Sequence, residues 1–445
     1  MQWTEPGDAD YDDRRALFNA MIDKRPRLIA SCSTPADVAS ALDRARSDGL
    51  AVAVRSGGHA VAGQSSNNDG LVIDVRPMKA ISIDPAARTA RVGAGCTWGE
   101  FDEAAQAHGL ATTGGRVSTT GVSGLTLGGG SGWLERQHGL SCDNLLAVEL
   151  VTADGRELRA DERSHPELLW ACKGGGGNFG VATALEFALH PVGPTILGGM
   201  LAWPADRGAE VARHYRDMAF DAPRQFASGL VMLSGPPEPF IPEHLQGQPL
   251  VAVAVVWTGD EATGTDVIQS LRDLGPEVDL VEPRSYTQMQ SMMDDPPGLR
   301  QYWSGDYHDA LPDSALDIFL AAGASRPSPL TQHLLVPWGS AIRAVADGDT
   351  PISRRNASWV SHPFATWENP HDDVANINWV RDYRAAIAPY TNGGTYLNFI
   401  GDEGEDRIAA AFGEQNLNRL REIKGEYDPD NVFAGNQNIR PLVPA

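Results

Sequence analysis

Three stretches of this sequence have residue types and spacing suited to chemistry. In the first, Arg55-Ser-Gly-Gly-His59, an imidazole follows two glycines. Consecutive glycines let backbone N–H groups point inward and cradle a phosphate, because no Cβ blocks the approach. Arg55, Ser56, Gly57, Gly58 and His59 are therefore candidate ligand contacts, with Gly63, Gln64 and Ser65 completing the loop. The second stretch, Gly114–Gly132, has eight glycines in nineteen positions, interleaved with hydroxyls. Such a chain can lie flat along an extended ligand. Its candidate contacts are Gly115, Val117, Thr120, Gly121, Gly124 and Leu125, then Gly128, Gly129, Gly130, Gly132 and Trp133. The third runs from His138 to Asn144 and adds Gly139, Leu140, Cys142 and Asp143. Taken alone, Cys142 is either a buried small hydrophobe or a reactive thiol.

A further glycine run, Lys173–Val181, contributes Asn178, Gly180 and Val181. Gly175–Gly180 formally matches the G-x-G-x-x-G dinucleotide fingerprint. That fingerprint needs a strand before it and a helix after it. Here Pro166–Cys172 reads as helix and Val181–Leu189 as strand, so the order is inverted and a nicotinamide site is rejected.

The elements that must position these loops are legible. Thr34 caps a helix over Ala36–Ser47 that stops at Gly49, and Leu50–Arg55 reads as a buried strand feeding the first loop. Strands follow at Leu71–Val75, Ala80–Ile83 and Thr89–Val92, and Thr97 caps a helix to His108. Leu145–Thr152 pairs through the turn Ala153-Asp-Gly155 with Arg156–Arg159. From about 195 to 390, strands such as Phe226–Leu233 and Leu250–Trp257 alternate with helices near Asp260–Leu274 and His371–Ile387.

The length of 445 residues predicts two domains. A net charge of −22 argues against nucleic acid or an anionic membrane as partner. No stretch reaches the ~18 apolar residues of a membrane span, and the N-terminus lacks a basic start and an apolar run, so a cytoplasmic protein is expected. The four cysteines have no CxxC spacing, which suggests neither zinc nor a thioredoxin-like motif. Cys32, Cys96 and Cys172 read as filler.

Together these motifs resemble the berberine bridge enzyme-like FAD-linked oxidases of the vanillyl-alcohol oxidase superfamily. Arg55–His59, Gly114–Gly132, His138–Asn144 and Gly176–Gly180 carry the likeness, with Tyr427–Phe433 and Asn436–Ile439. It spans roughly 1–190 and 390–445 and is only general between them. The resemblance implies an α+β fold. A two-subdomain FAD-binding domain (PCMH-type) would come from 1–190 and the C-terminal return 391–445. A substrate domain over 195–390 would be an antiparallel sheet backed by helices. It further implies FAD held covalently at His59, on the flavin 8α-methyl carbon, and at Cys142, on C6. A neutral imidazole can add to the electrophilic methylene tautomer of the 8-methyl group, and a thiolate is a soft nucleophile for the C6 edge.

The same resemblance matches Tyr396-Leu-Asn-Phe399 to a motif whose side chains face the flavin. A strand there would put Tyr396 and Asn398 on one face, and Asn436 joins them from the C-terminal motif. Phe399 stands where the family often has an ionisable ring, so the proton-accepting duty falls on Tyr396 or on a residue of the middle domain. Tyr302, Trp303, Tyr307 and His308 are loose candidates for a pocket wall. His362, His371 and Asp372 lack metal-ligand spacing and read as surface loop residues.

The expected reaction removes a hydride from a hydroxylated small molecule to flavin N5, with molecular oxygen then giving hydrogen peroxide. A dehydrogenase serving a quinone or protein acceptor, and a non-catalytic FAD- or ligand-binding protein, are the alternatives. A monomer or dimer without metal is expected.

Overall fold

The computed structural model describes residues 1–442. Its chain builds three main sheets around two large apolar cores. The first sheet has four strands in the order Gln2–Thr4, Leu28–Ser31, Leu71–Asp74 and Val52–Arg55, the last three parallel. Between two of them runs the helix Pro35–Asp48, started by a reciprocal cap. Thr34 Oγ1 accepts the Asp37 N–H, and the Asp37 carboxylate accepts the Thr34 N–H. The second sheet is antiparallel, ordered Ile81–Asp84, Thr89–Gly93, Val181–Ala188, Leu145–Val151 and Glu157–Asp161.

One core fills the space between these sheets, with Leu42, Ile73, Val92, Trp98, Phe101, Val148 and Phe187 at its centre. Residues from the far end of the chain complete it. Phe412, Leu417, Leu420 and Ile423 from the helix Glu405–Tyr427, followed by Phe433 and Ile439, pack into the same cluster. Pro166–Cys172 is helix and Val181–Ala188 is strand, so the glycine run between them has the inverted order read from sequence.

The third sheet is antiparallel and nine-stranded. Its main path is Val278–Asp279, Thr195–Pro204, Pro249–Trp257, Phe226–Ser234, Gln332–Pro337, Trp359–Trp367 and Arg300–Trp303. Side chains alternate between its two faces. Leu230, Val253, Val255 and Leu335 turn toward the helices Gly208–Ala219, Glu261–Arg272 and Asp313–Ala324, forming the second core. Gln332, Leu334, Val336, His362 and Phe364 turn the other way, into a cavity shared with the glycine loops. No helix among the described residues is long and apolar enough to cross a membrane.

Candidate active site

The cavity lies where the first sheet, the glycine loops and the third sheet meet. Its walls include Val52–Val54 and Gly435–Asn436 in one part, and Trp303, His362, Phe364 and Phe399 in another. Between them lie most of the sequence candidates: Ser56, Gly57, Gly58, His59, Gln64 and Ser65 from the first loop, then Gly115, Val117, Thr120, Gly121, Gly124, Leu125 and Gly128 from the second. Gly180, Tyr396, Asn398 and Asn436 also line it.

The two glycine loops touch backbone to backbone. A Cβ on Gly57 would fall 2.2 Å from the Gly121 nitrogen, so neither position admits a side chain. A Cβ on Gly124 would meet no protein atom within 4 Å, yet Gly124 is on the cavity wall, so a side chain there would project into the space a ligand needs. A long cavity edged with bare backbone and closed by aromatic rings fits an extended flavin dinucleotide.

His59 is held from two sides. Its ring stacks on Phe18 at 3.9 Å between centroids, and its Nε2 is 3.0 Å from Thr119 Oγ1. Burial brings its pKa down to about 4, so the imidazole is neutral near pH 7 and keeps a nucleophilic lone pair. Val117 and Thr120, from the same segment as Thr119, line the cavity.

Cys142, expected from the resemblance as a second attachment point, is placed differently from His59. The residue is fully buried, packs with Leu140, Tyr307, Trp338 and Tyr396, and is not among the residues lining the cavity. Burial and then the neighbouring Asp143 charge push its thiol well above the usual range, which disfavours the thiolate that bond formation needs. Asp143 is committed to Arg355, whose Nη2 lies 2.7 Å from its carboxylate. Cys32, Cys96 and Cys172 are buried, free thiols.

Other candidates stand behind the wall and support it rather than line it. Arg55 donates to the backbone carbonyls of Arg14 and Ala16, fastening the N-terminal segment. Gly63 packs on Ile22, Gly129 on Tyr396, Gly130 on Ser141, Gly132 on the Gly114 carbonyl and Gly139 on the Asp143 carboxylate. Trp133 lies beneath the Arg116 guanidinium at 5.0 Å. Asn178 clasps the C-terminal segment, its Oδ1 accepting the Ile439 N–H at 3.0 Å. Val181 opens a core strand.

Tyr396 does line the cavity, but it precedes a short 3-10 turn, Leu397–Phe399, and not a strand. Its phenol oxygen accepts N–H donors from Gly130 at 2.5 Å, Ser131 at 2.9 Å and Asn398 Nδ2 at 3.1 Å. These donors favour ionisation, while burial opposes it and is the larger effect. The phenol is therefore held well above its ordinary range. A neutral phenol whose oxygen already accepts three donors cannot take a substrate proton.

His362, read from sequence as a surface loop residue, is buried on the strand Trp359–Trp367 and lines the cavity. His371 and Asp372 are exposed, as expected, but lie in the short 3-10 turn Pro370–Asp372 that leads into a helix. Of the loose aromatic cluster, Trp303 reaches the cavity, while His308 is tied to the Tyr390 carbonyl and Ser361 Oγ. Sequence reasoning missed Phe18, Asp295, Gln332, Leu334, Val336 and Phe364 on the wall. Alternate positions in the apolar run Gln332–Pro337 were the available signal for three of them. Burial raises Asp295 to about 6, with the Asp294 charge adding to the effect.

Comparison with known proteins gives consistent matches. Residues 26–161 match an FAD binding domain family, and residues 395–440 match the family described as berberine and berberine like. An FAD-linked oxidoreductase of Dictyostelium discoideum is 31% identical over 96% of this chain and 91% of its own. The (R)-6-hydroxynicotine oxidase of Paenarthrobacter nicotinovorans is 31% identical over 98% of this chain and 96% of its own. The crystal structure of 6-hydroxy-D-nicotine oxidase from Arthrobacter nicotinovorans superposes with a TM-score of 0.88 at 27% identity, covering 99% of this chain and 98% of that one.

Proposed function

The chain belongs to the berberine bridge enzyme-like FAD-linked oxidoreductases, and on that premise we propose that it is an oxidase of hydroxylated aromatic small molecules, with FAD anchored covalently at His59. In this reading residues 1–190 and 391–445 hold the cofactor, and 195–390 shape the substrate end. The bound flavin would supply the two-electron acceptor and, at its 8-methyl edge, the electrophile for attachment.

The observation that carries the reading is the convergence of the bare glycine backbone and an apolar aromatic wall in one cavity. Trp303 and Phe364 stack at 4.3 Å, and Leu334 and Val336 extend the same surface. Such a wall suits a ring better than a sugar, whose hydroxyls would lose hydrogen bonds to water without regaining them. His59 supports single attachment because its neutral imidazole is nucleophilic, held in place and on the cavity wall, whereas Cys142 is a protonated thiol buried away from that wall. The Thr119 hydroxyl at His59 Nε2 fixes the ring while the other nitrogen is only loosely engaged, 3.5 Å from Thr120 Oγ1.

The test is anaerobic mixing of the yellow protein with hydroxylated aromatics, including 6-hydroxynicotine, beside simple alcohols and sugars. Bleaching by a ring-bearing donor, followed by peroxide release on admitting air, is the expected result. Bleaching without peroxide would make the protein a dehydrogenase. No bleaching by any donor, with FAD retained, would leave a binding protein.

A further inference from the structure

One ionisable ring on the substrate side of the cavity has a free nitrogen. The ring of His362 lies flat on Phe399, with centroids 4.0 Å apart and 11° between planes. Trp303 and Phe364 meet it edge-on at 5.8 and 5.5 Å. Its Nδ1 is 2.7 Å from the carbonyl oxygen of Ser304. A carbonyl only accepts, so Nδ1 carries a proton, and in the neutral ring Nε2 holds the lone pair. No hydrogen bond engages Nε2 among the described residues, and it is not a sealed, unpartnered atom. Three aromatic neighbours and one carbonyl thus fix the direction of that lone pair.

Burial, more than any neighbouring charge, keeps the ring neutral. Burial lowers its pKa to about 4, the Ser304 bond works weakly the other way, and the Arg116 cation lowers it further. Arg116 is itself tied to Glu135 at 2.8 Å. From the paired strand, His333 is buried and neutral, and Asp295 is the carboxyl on the same cavity wall. Tyr396, the other ionisable ring on the cavity wall near Phe399, is occupied by backbone donors.

We infer that His362 Nε2 is the proton acceptor of the reaction, an inference that rests on the flavin oxidase reading above. As the O–H bond of an aryl carbinol breaks, its proton passes to Nε2. The C–H bond on the same carbon breaks with its electron pair, and the bound flavin would accept that hydride. The C–O single bond becomes C=O, so the substrate loses two electrons and two hydrogens. The imidazolium formed returns its proton to solvent when the product leaves, and Nδ1–H stays on Ser304 throughout.

The experiment uses flavin-loaded protein and two probes, 4-chlorophenol and 4-chloroanisole, titrated against the flavin absorbance. The phenol, un-ionised at neutral pH, can donate from its oxygen and the ether cannot. His362→Asn keeps an amide N–H for Ser304 and removes Nε2, while His362→Phe keeps a flat ring on Phe399 and removes both nitrogens. Wild-type protein should bind the phenol about tenfold more tightly than the ether, and both variants should bind the two alike. With any donor that bleaches the flavin anaerobically, the variants should bleach about 10²–10⁴-fold more slowly at a similar half-saturating concentration. Discrimination that survives in either flavin-loaded variant, or is missing from wild type, overturns the role of His362. A wild-type protein that carries no FAD overturns the flavoenzyme reading instead.

Discussion

The phenol oxygen of Tyr396 accepts the backbone N–H of Gly130 at 2.5 Å, across a sequence separation of 266 residues. This contact ties the C-terminal return to the longest glycine loop and gives the tyrosine a structural task. Tyr396→Phe would leave the Gly130 and Ser131 donors unpaired beside the cavity, at a cost of about 1–3 kcal/mol. A thermal melt should show that loss. The rate of flavin bleaching should keep the same shape of pH profile on the alkaline side, because the phenol is already held neutral there. An alkaline limb that disappears in the variant would restore Tyr396 as the base.

Attachment of the flavin is tested by acid precipitation. Wild-type protein and Cys142→Ser should both leave yellow colour in the pellet, and His59→Ala should release it to the supernatant. Colour kept in the His59→Ala pellet, and lost only when Cys142→Ser is added, would show that the buried thiol reaches the ring after all.

Lys424 and Asp428 form an ion pair at 2.6 Å with both side chains fully buried. Lys424 Nζ also donates to the carbonyls of Asn178 and Phe433, and Asp428 accepts the N–H groups of Val432 and Phe433. Removing one charge strands the other, so Lys424→Met should cost about 3–5 kcal/mol. Denaturant unfolding checks the loss, and weaker FAD retention should accompany it because Asn436 sits just beyond the knot.

Asp102 is buried beneath the contact between the helices Trp98–Gln106 and Tyr286–Gln290, where Gln290 Nε2 donates to its carboxylate at 2.8 Å. Burial raises its pKa from 3.8 to about 7. The folded state therefore holds a proton that the unfolded chain has released between those values. Stability from this group is complete below the unfolded value and is lost as pH rises through about 7. The melting temperature should fall between pH about 4 and about 7, and Asp102→Asn should flatten that fall. An unchanged slope in the variant would assign it to other groups.

The parts of this molecule that were legible in sequence are local. Glycine beside glycine, a cap three residues from its partner and a helix-then-strand order are all set by near neighbours, which is why His59 and the loop after Val52–Arg55 were found. Long-range facts were not legible. Nothing near Cys142 reveals that Arg355, 213 residues away, pairs with the adjacent Asp143. His362 was hidden by Pro363, which breaks the pattern of a strand read alone. In the fold, that proline simply pairs in register with His333. The wall it belongs to became visible only once Gln332–Pro337 and Trp359–Trp367 lay side by side.

The cavity wall includes Gly435 and Asn436, and the first core closes on Ile439. The first glycine loop of the same wall lies far earlier in the chain. A nascent chain, however well its earlier strands have formed, has no finished cavity until residues 435–439 have emerged and folded back onto it.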